Sequence, residues 1–114
     1  MIDLYGIPNC DTVKKARAWL DERGVAYRFH DFKKEPPSAD QLSRWAQAVG
    51  WEVLLNRRGT TFRGLDEADK ADLNEAKALR LIAASPSLIK RPVIERDGAI
   101  TVGWSDAIRA TLAN

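Results

Sequence analysis

Cys10 is the only cysteine of the 114-residue chain, and its surroundings favour reactivity. It lies in YGIPNCDTVKKARAWL (residues 5–20), where a short apolar run ends and an amphipathic pattern begins. Free backbone N–H groups and the helix dipole at a helix start stabilise a thiolate. Lys14 adds a positive charge one turn on, whereas Asp11 opposes it. A lone cysteine is more often buried and inert, but this setting indicates a nucleophile.

Val13 occupies the position where a second cysteine would complete a C-x-x-C motif. Without that second cysteine, no intramolecular disulfide can resolve a bond formed on Cys10. A second molecule must then supply the resolving sulfur, and glutathione or a glutaredoxin-like protein is the obvious cytoplasmic candidate.

The segment LIKRPVI (residues 88–94) is the second candidate element. A proline just before a strand often follows a cis peptide bond, so we expect a cis bond between Arg91 and Pro92. Facing the cysteine loop, this bond would leave backbone groups of Arg91 free to pair with a thiol peptide. The Arg91 guanidinium would bind a carboxylate or oxyanion. A solvated turn is the alternative.

The segment NRRGTTFRGL (residues 56–65) is the third candidate element. Arg57, Arg58 and Arg63, with two threonine hydroxyls and backbone amides, suit an anion. An exposed basic loop fits the same residues. His30 is the only histidine and ends a strand pattern, so we expect a structural or surface role for it and no metal site.

Around these residues the pattern predicts a βαβ unit. Residues 2–5 form a short apolar strand, and Asp11 or Thr12 caps a helix that ends at Gly24. The segment VAYRFHDF (residues 25–32) then alternates as a half-buried strand does. The two strands should be parallel.

The rest of the chain predicts a helical insert at about residues 36–86, followed by a hairpin and a helix. Ser38 caps the first helix of the insert, a turn and the arginine loop follow, and residues 75–84 form its surest helix. Asp97 and Gly98 form the hairpin turn, and Ser105 caps the last helix. The order βαβ, insert, ββα predicts an α/β protein with a thioredoxin-like (glutaredoxin-like) core and a four-stranded mixed sheet, in a single domain over residues 1–114.

Composition supports one small cytoplasmic domain. The chain is 45% hydrophobic and 30% charged, with a net charge of only +2, which argues against direct nucleic-acid binding. No apolar run approaches the roughly 20 residues that cross a bilayer, so no membrane association is expected. The N-terminus does not read as a signal peptide, and one cysteine forms no internal disulfide.

Four segments together resemble the ArsC/Spx family of arsenate-reductase-like proteins, most closely its YffB-type members. They are LYGIPNCDTVKKARAWL, YRFHDF, GWEVLLNRRGTTFRGLDE and LIKRPVI, in the family's order. The resemblance implies a thioredoxin-like core with a helical insert, a catalytic cysteine at Cys10, and an active-site arginine at Arg91 before Pro92. The family's arsenate reductases attack arsenate with the cysteine, hold the oxyanion with three arginines, and are recycled by glutathione and glutaredoxin.

The other two family arginines have no direct counterpart here. The arginine after the LL pair falls on Asn56, with Arg57 and Arg58 beside it, and the third falls near Gly103 and Trp104. One matched arginine is a poor clamp for a doubly charged oxyanion, so arsenate is not the favoured substrate. YffB-type members resemble glutathione-dependent thiol reductases, and VGWSD (residues 102–106) suits a glutathione carboxylate at a helix N-terminus.

The favoured function is therefore a glutathione-dependent thiol/disulfide reductase, with Cys10 as nucleophile, no bound cofactor, and glutathione as co-substrate. The expected substrate- or glutathione-binding residues are Asn9, Arg57, Arg58, Arg63, Arg91, Pro92 and Ser105. The alternatives are an arsenate reductase coupled to glutathione and glutaredoxin, a Spx-like regulator that binds the RNA polymerase α subunit, and a catalytically idle member. Spx redox sensing resembles a C-x-x-C switch, which Val13 excludes.

Overall fold

The computed structural model describes residues 1–113, which form two compact units. The first, which we call the sheet unit, contains Met1–Glu35 and the chain from Arg91 onward. The second, the helical unit, is Pro36–Lys90. The single domain expected over residues 1–114 stays a prediction.

Apart from three four-residue helices and a 3-10 turn, the helices and strands follow one another in the order expected from the sequence. In chain order they are β1 (Ile2–Gly6), α1 (Asp11–Glu22), β2 (Tyr27–Asp31), α2 (Ala39–Val49), α3 (Trp51–Leu54), α4 (Thr60–Arg63), α5 (Glu67–Lys70), α6 (Glu75–Ala84), a 3-10 turn (Pro86–Leu88), β3 (Val93–Arg96), β4 (Ala99–Val102) and α7 (Asp106–Leu112).

The sheet unit contains one four-stranded mixed sheet in the order β2-β1-β3-β4. β1 runs parallel to β2 and antiparallel to β3, and β3 runs antiparallel to β4. These pairings confirm the predicted α/β class, the parallel βαβ unit and the mixed sheet.

Alternate residues of β1 and one face of α1 form the core of the sheet unit. Strand side chains alternate between the two faces of a sheet, and helical side chains share a face at spacings of three and four. The buried core residues are Ile2, Leu4, Val13, Ala16, Leu20, Ile94 and Leu112.

Gly6, at the end of β1, allows α1 to approach the strand closely. A Cβ atom at this position would lie 2.7 Å from Cγ2 of Val13. Because Val13 is β-branched and completely buried, it has little freedom to move away. The contact therefore requires glycine, and it fixes the start of α1 against the sheet.

Turn and cap residues are found where the sequence predicts them. Gly24, after α1, has φ +64°, and Asp97 and Gly98 in the β3–β4 turn have φ +50° and +84°. Ser38 caps α2 in a reciprocal capping box with Gln41. These residues confirm the predicted ends of α1 and α2 and the predicted hairpin.

The helical unit packs α2, α3, α6 and the 3-10 turn around its own buried side chains. These are Leu42, Trp45, Ala46, Leu54, Leu55, Ala78, Ile82, Leu88 and Ile89. An isolated antiparallel bridge pairs Leu55 with Ile89. No helix formed by residues 1–113 is long and apolar enough to cross a bilayer.

Two short helices replace a predicted turn and part of a predicted loop. Trp51–Leu54 is α3 rather than a turn, and Thr60–Arg63 is α4, inside the expected loop at residues 56–65. Helices of four residues are too short to show a 3.6-residue hydrophobic period, so the sequence pattern misses them. Lys70 Nζ donates to the Arg63 carbonyl at 2.9 Å and satisfies the end of α4.

Candidate active site

Cys10 is the N-cap residue of α1, with extended backbone angles of φ −129° and ψ 123°. The expected caps Asp11 and Thr12 are therefore wrong, because the helix already begins at Asp11. The Cys10 carbonyl accepts a hydrogen bond from the Lys14 N–H at 2.9 Å, which closes the first turn. Cys10 is half-buried and packs against the core of the sheet unit.

The surroundings lower the pKa of the Cys10 thiol. Partial burial alone raises this pKa, but it is outweighed by hydrogen bonding from the Val13 N–H, by the hydrogen bond and positive charge of Arg91, and by the Thr12 N–H. The neutral thiol makes no regular side-chain capping bond. The two amides therefore act mainly on the thiolate, which is the better acceptor.

Arg91 is the cation that acts on the sulfur. Lys14 was also predicted from the sequence to stabilise the thiolate. It is exposed and is not among the groups that lower the pKa of Cys10. Arg91 reaches Cys10 from the opposite end of the sheet unit's sequence, just before β3. A cation brought by tertiary structure, rather than by the helix itself, stabilises the thiolate.

The Arg91–Pro92 peptide bond is cis, as predicted. Pro92 is fully buried, and its carbonyl accepts a hydrogen bond from the Gly103 N–H at 2.9 Å. This bond ties the end of β4 to the segment that carries Arg91. Asn9, the remaining predicted residue of this region, is exposed in the turn before Cys10.

Trp104 stands near the position where the third family arginine was expected. Its ring meets the edge of Trp19 with 5.6 Å between centroids, and both rings pack against the same core as Cys10. The Arg109 guanidinium lies 5.6 Å from the Trp104 ring centroid. This pair was not predicted from the sequence, although Trp19 falls on the α1 face next to its core residues.

Ser105 caps α7, as predicted, by accepting a hydrogen bond from the Ile108 N–H at 3.2 Å. The first residue of α7, Asp106, forms an ion pair with Arg109. The cap role of Ser105 is confirmed, and its role toward glutathione stays a prediction.

The three arginines of the helical unit that were predicted to bind an anion lie in two different places. Arg57 and Arg58 line a pocket of about 380 Å³, whereas Arg63 is in α4 and is not one of its lining residues. Asn56 Oδ1 accepts from the Arg58 N–H at 3.1 Å and closes the loop. Asn56 therefore has a structural task at the position where the family arginine was expected.

His30 joins β1 and β2 through its side chain. Its Nε2 lies 2.8 Å from Oδ1 of Asp3, its Nδ1 lies 3.3 Å from Glu35, and its ring stacks on Tyr5. Arg28 Nε also donates to Asp3 at 2.9 Å. These contacts fit the predicted structural role.

Among residues 1–113, no group of three or more His, Cys, Asp or Glu side chains is arranged to hold a metal ion.

Comparison with known proteins identifies the family. The ArsC family model matches residues 5–111, so the chain belongs to the ArsC family and has its thioredoxin-like fold. A solved structure of a protein named YffB is 55% identical, with a TM-score of 0.93 and 97% of each chain covered.

Two further relatives carry more specific names. A solved arsenate reductase (ArsC) related protein from Brucella melitensis is 49% identical, with a TM-score of 0.79, and the match covers 99% of this chain and 94% of that one. The global transcriptional regulator Spx of Streptococcus mutans is 33% identical over 98% of this chain and 83% of its own length.

Proposed function

We propose that the protein is a one-thiol oxidoreductase that reduces disulfides with glutathione as co-substrate. The observation that carries the proposal is the position of Cys10 at the start of α1, with Arg91 hydrogen bonded to it and its pKa lowered. Membership of the ArsC family supports a thiol-based reductase. No bound cofactor is required, because glutathione supplies the reducing sulfur.

The reaction consists of two disulfide exchanges. The Cys10 thiolate attacks one sulfur of a disulfide R–S–S–R′, a Cys10–S–S–R bond forms, and R′S⁻ leaves with the electron pair of the broken bond. A glutathione thiolate then attacks the sulfur of R in this mixed disulfide and forms a glutathione–S–S–R disulfide, and the Cys10 thiolate leaves with the electron pair of the broken bond. Because position 13 is valine, the second step depends on this external thiol.

Arg91 serves both exchanges in this proposal. Its positive charge lowers the pKa of Cys10 and so favours the thiolate, which is the nucleophile of the first step and the leaving group of the second. The same guanidinium can accept a carboxylate of glutathione through its planar donors. Arg57, Arg58, Arg63, Asn9, Pro92 and Ser105 remain predicted contacts of glutathione or substrate.

Alkylation of the purified protein provides the first test. Cys10 is the only cysteine, so every thiol modification reports on this one site. The rate of reaction with iodoacetamide should rise with pH around a midpoint below that of free glutathione measured in the same buffers. A midpoint at or above that of glutathione would contradict the proposal.

A mass measurement tests the second step. Incubation with oxidised glutathione should add one glutathionyl group to the protein, and reduced glutathione should remove it. Cys10→Ser is the matched control and should gain no mass. Failure of the wild-type protein to form or to release the mixed disulfide would exclude turnover through glutathione. Glutaredoxin, the other expected partner, can be substituted for glutathione in the release step.

Arsenate reduction is the second candidate, and the Brucella melitensis relative supports it through its name. Here Cys10 would attack arsenate, and glutathione and glutaredoxin would recycle it. Of the arginines in residues 1–113, only Arg91 acts on the Cys10 sulfur. Asn56 and Trp104 stand at or near the positions of the other two family arginines. We expect arsenate-dependent oxidation of glutathione to be slow compared with reduction of a low-molecular-weight disulfide.

A regulator of transcription is the candidate outside the enzymes, and it rests on the similarity to Spx over nearly the whole chain. The discriminating experiment measures binding of the protein to the purified α subunit of RNA polymerase. Both proteins would meet in the cytoplasm, where we propose that this protein is located. Saturable binding that Cys10→Ser leaves unchanged would favour the regulator over the reductase. Val13 argues against a C-x-x-C redox switch in that role.

A further inference from the structure

A pocket of about 380 Å³ in the helical unit has a strongly charged lining. Its walls come from two chain segments, α3 with the following loop, and the residues after the 3-10 turn. It is lined by Glu52, Val53, Leu55, Asn56, Arg57, Arg58 and Lys90. Arg57 and Arg58 were predicted from the sequence to bind an anion, whereas Lys90 was not.

Backbone hydrogen bonds hold these two segments together. Leu55 pairs with Ile89 in an antiparallel bridge, and the Lys90 N–H donates to the Leu54 carbonyl at 2.8 Å. On the other side, the Asn56 N–H donates to the Leu88 carbonyl at 2.7 Å. The backbone that carries the cations is therefore tied in place.

The three cations of the pocket are not neutralised by the protein. The side chains of Arg57, Arg58 and Lys90 form no ion pair with any residue of the described range 1–113. Arg57 instead lies over the ring of Trp51, 5.9 Å from its centroid. With Glu52 as the one carboxylate of the lining, the formal charge of the pocket is three positive minus one negative, or +2.

We propose that this pocket binds a small dianion, such as a phosphate monoester or a dicarboxylate. Two guanidiniums and an ammonium match the charge of such a ligand, and the planar forks of Arg57 and Arg58 suit bidentate binding of its oxygens. The Asn56 side chain adds a polar group to the wall, and Val53, which is 43% exposed, adds an apolar surface for the ligand's carbon chain.

Isothermal titration at low ionic strength tests the proposal with inorganic phosphate, glycerol 3-phosphate and succinate. At least one of the three should bind saturably with one site per chain, and the comparison shows whether the pocket prefers phosphate or dicarboxylate. Chloride at matched ionic strength should not compete as a specific ligand. Absence of saturable binding by all three would overturn the proposal.

Charge variants test the location. Arg57→Gln and Arg58→Gln should each weaken binding roughly tenfold or more, because each removes a hydrogen bond to a charged group. Arg80→Gln removes the same charge from an exposed face of α6 and should leave binding unchanged. If Arg80→Gln weakened dianion binding as much as Arg57→Gln and Arg58→Gln do, binding would depend only on net charge. That result would overturn the proposed site.

Glu52→Gln should change the dianion affinity in the opposite direction from the arginine variants. Removal of the one carboxylate in the lining should tighten dianion binding several-fold, whereas Glu22→Gln, an exposed change in the sheet unit, should not. Circular dichroism of each variant checks that it is folded. A Glu52→Gln protein that is folded and binds no more tightly than wild type would contradict a dianion at this pocket.

This proposal assigns Arg57 and Arg58 to a dianion instead of to glutathione, and it does not depend on the thiol of Cys10. Dianion binding should be the same in Cys10→Ser, which cannot form a mixed disulfide. The protein could instead bind glutathione through Arg57 and Arg58 and show no binding of phosphate or succinate. That result would assign the pocket to glutathione and overturn the dianion proposal.

Discussion

At the residue scale, the pKa of Cys10 results from opposing effects on one sulfur. Burial raises its pKa, and Val13, Arg91 and Thr12 together lower it below its ordinary value. Since the largest single effect disfavours the thiolate, removal of one favourable partner should be visible in the thiol's titration.

Arg91→Gln should therefore raise the pKa of Cys10 and slow its alkylation at neutral pH several-fold. Lys14→Gln removes a charge from α1 itself and should move the midpoint much less. Both variants are compared by the rate of iodoacetamide reaction across pH. If Lys14→Gln shifted the pKa of Cys10 more than Arg91→Gln did, Lys14 of α1 and not Arg91 would be the cation that stabilises the thiolate.

Asp3 should make the stability of the fold depend on pH in the acid range. Burial raises its pKa, but hydrogen bonds from His30 and Arg28 and their charges lower it overall. A lowered carboxyl pKa stabilises the fold at pH above the unfolded value of about 3.9, and this contribution disappears as the pH falls through the folded value.

Asp3→Asn should accordingly be less stable than wild type near pH 6, with a difference that narrows below about pH 4. Urea unfolding at a series of pH values measures this difference. Arg28→Gln should reproduce part of the loss, because it removes one of the groups that lower this pKa. A difference that stays constant down to strongly acid pH would contradict the assignment.

Much at this scale could be predicted from residue types. The caps Ser38 and Ser105 and the turn residues Asp97 and Gly98 follow from local preferences. The choice of Cys10 and Arg91 as candidate site residues came from local preferences and the family pattern. The hydrogen bond between Arg91 and Cys10 could not be derived from local pattern, because it joins residues far apart in the sequence.

At the element scale, the contact between β1 and α1 fixes the start of the helix. Val13 N–H stabilises the thiolate, and the Val13 side chain packs where Gly6 leaves no Cβ atom. The same residue therefore serves the core and the site. A substitution in β1 that moves Val13 should therefore also change the pKa of the Cys10 thiol.

Gly6→Ala should destabilise the protein by about 1–3 kcal/mol, since the new methyl group overpacks a buried contact. Val13→Ala should also destabilise it, but the double variant should be more stable than the sum of the two losses predicts, by about 1 kcal/mol. Urea unfolding of the four proteins measures this. Strict additivity would mean that the two side chains do not compete for the same space.

Ser105 allows a helix cap to be separated from a glutathione contact. Ser105→Ala should cost about 1 kcal/mol through loss of the cap, whereas Ser105→Asp should retain it. If the start of α7 receives a glutathione carboxylate, Ser105→Asp should form the mixed disulfide more slowly than wild type by repulsion. An equal rate in a protein of equal stability would limit Ser105 to capping.

The long helices could be predicted and the short ones could not. α1, α2 and α6 repeat their apolar residues over three turns, and the predicted bounds of α6 are those observed. α3, α4 and α5 each contain four residues, and their ends are held by contacts such as Lys70 with the Arg63 carbonyl. Such contacts depend on tertiary structure, which periodicity does not report.

At the scale of the whole molecule, the charges are nearly balanced but unevenly distributed. The chain has 18 Lys and Arg against 16 Asp and Glu, and the pocket of the helical unit alone has a formal charge of +2 from three cations and Glu52. The predicted helical insert at about residues 36–86 lies within the helical unit, Pro36–Lys90. That each unit has its own buried core could not be predicted, because periodicity does not say which elements pack together.

Salt should therefore affect ligand binding and stability differently. Raising sodium chloride from about 20 to about 200 mM should weaken dianion binding several-fold through screening, and should move the urea midpoint little. Titration calorimetry and unfolding in the same buffers provide the comparison. A urea midpoint that shifts as strongly as the affinity would indicate a general charge effect instead of a pocket.

The close packing of Val13 against Gly6 also bears on how this protein could evolve. A cysteine at position 13 would create the two-thiol motif in one substitution, but it would remove a buried methyl group at a cost of about 1 kcal/mol. The new sulfur would be enclosed in the core at the outset. Selection for stability would therefore act against gaining an internal resolving cysteine. Under the proposed mechanism, turnover would then depend on the concentration of small thiols.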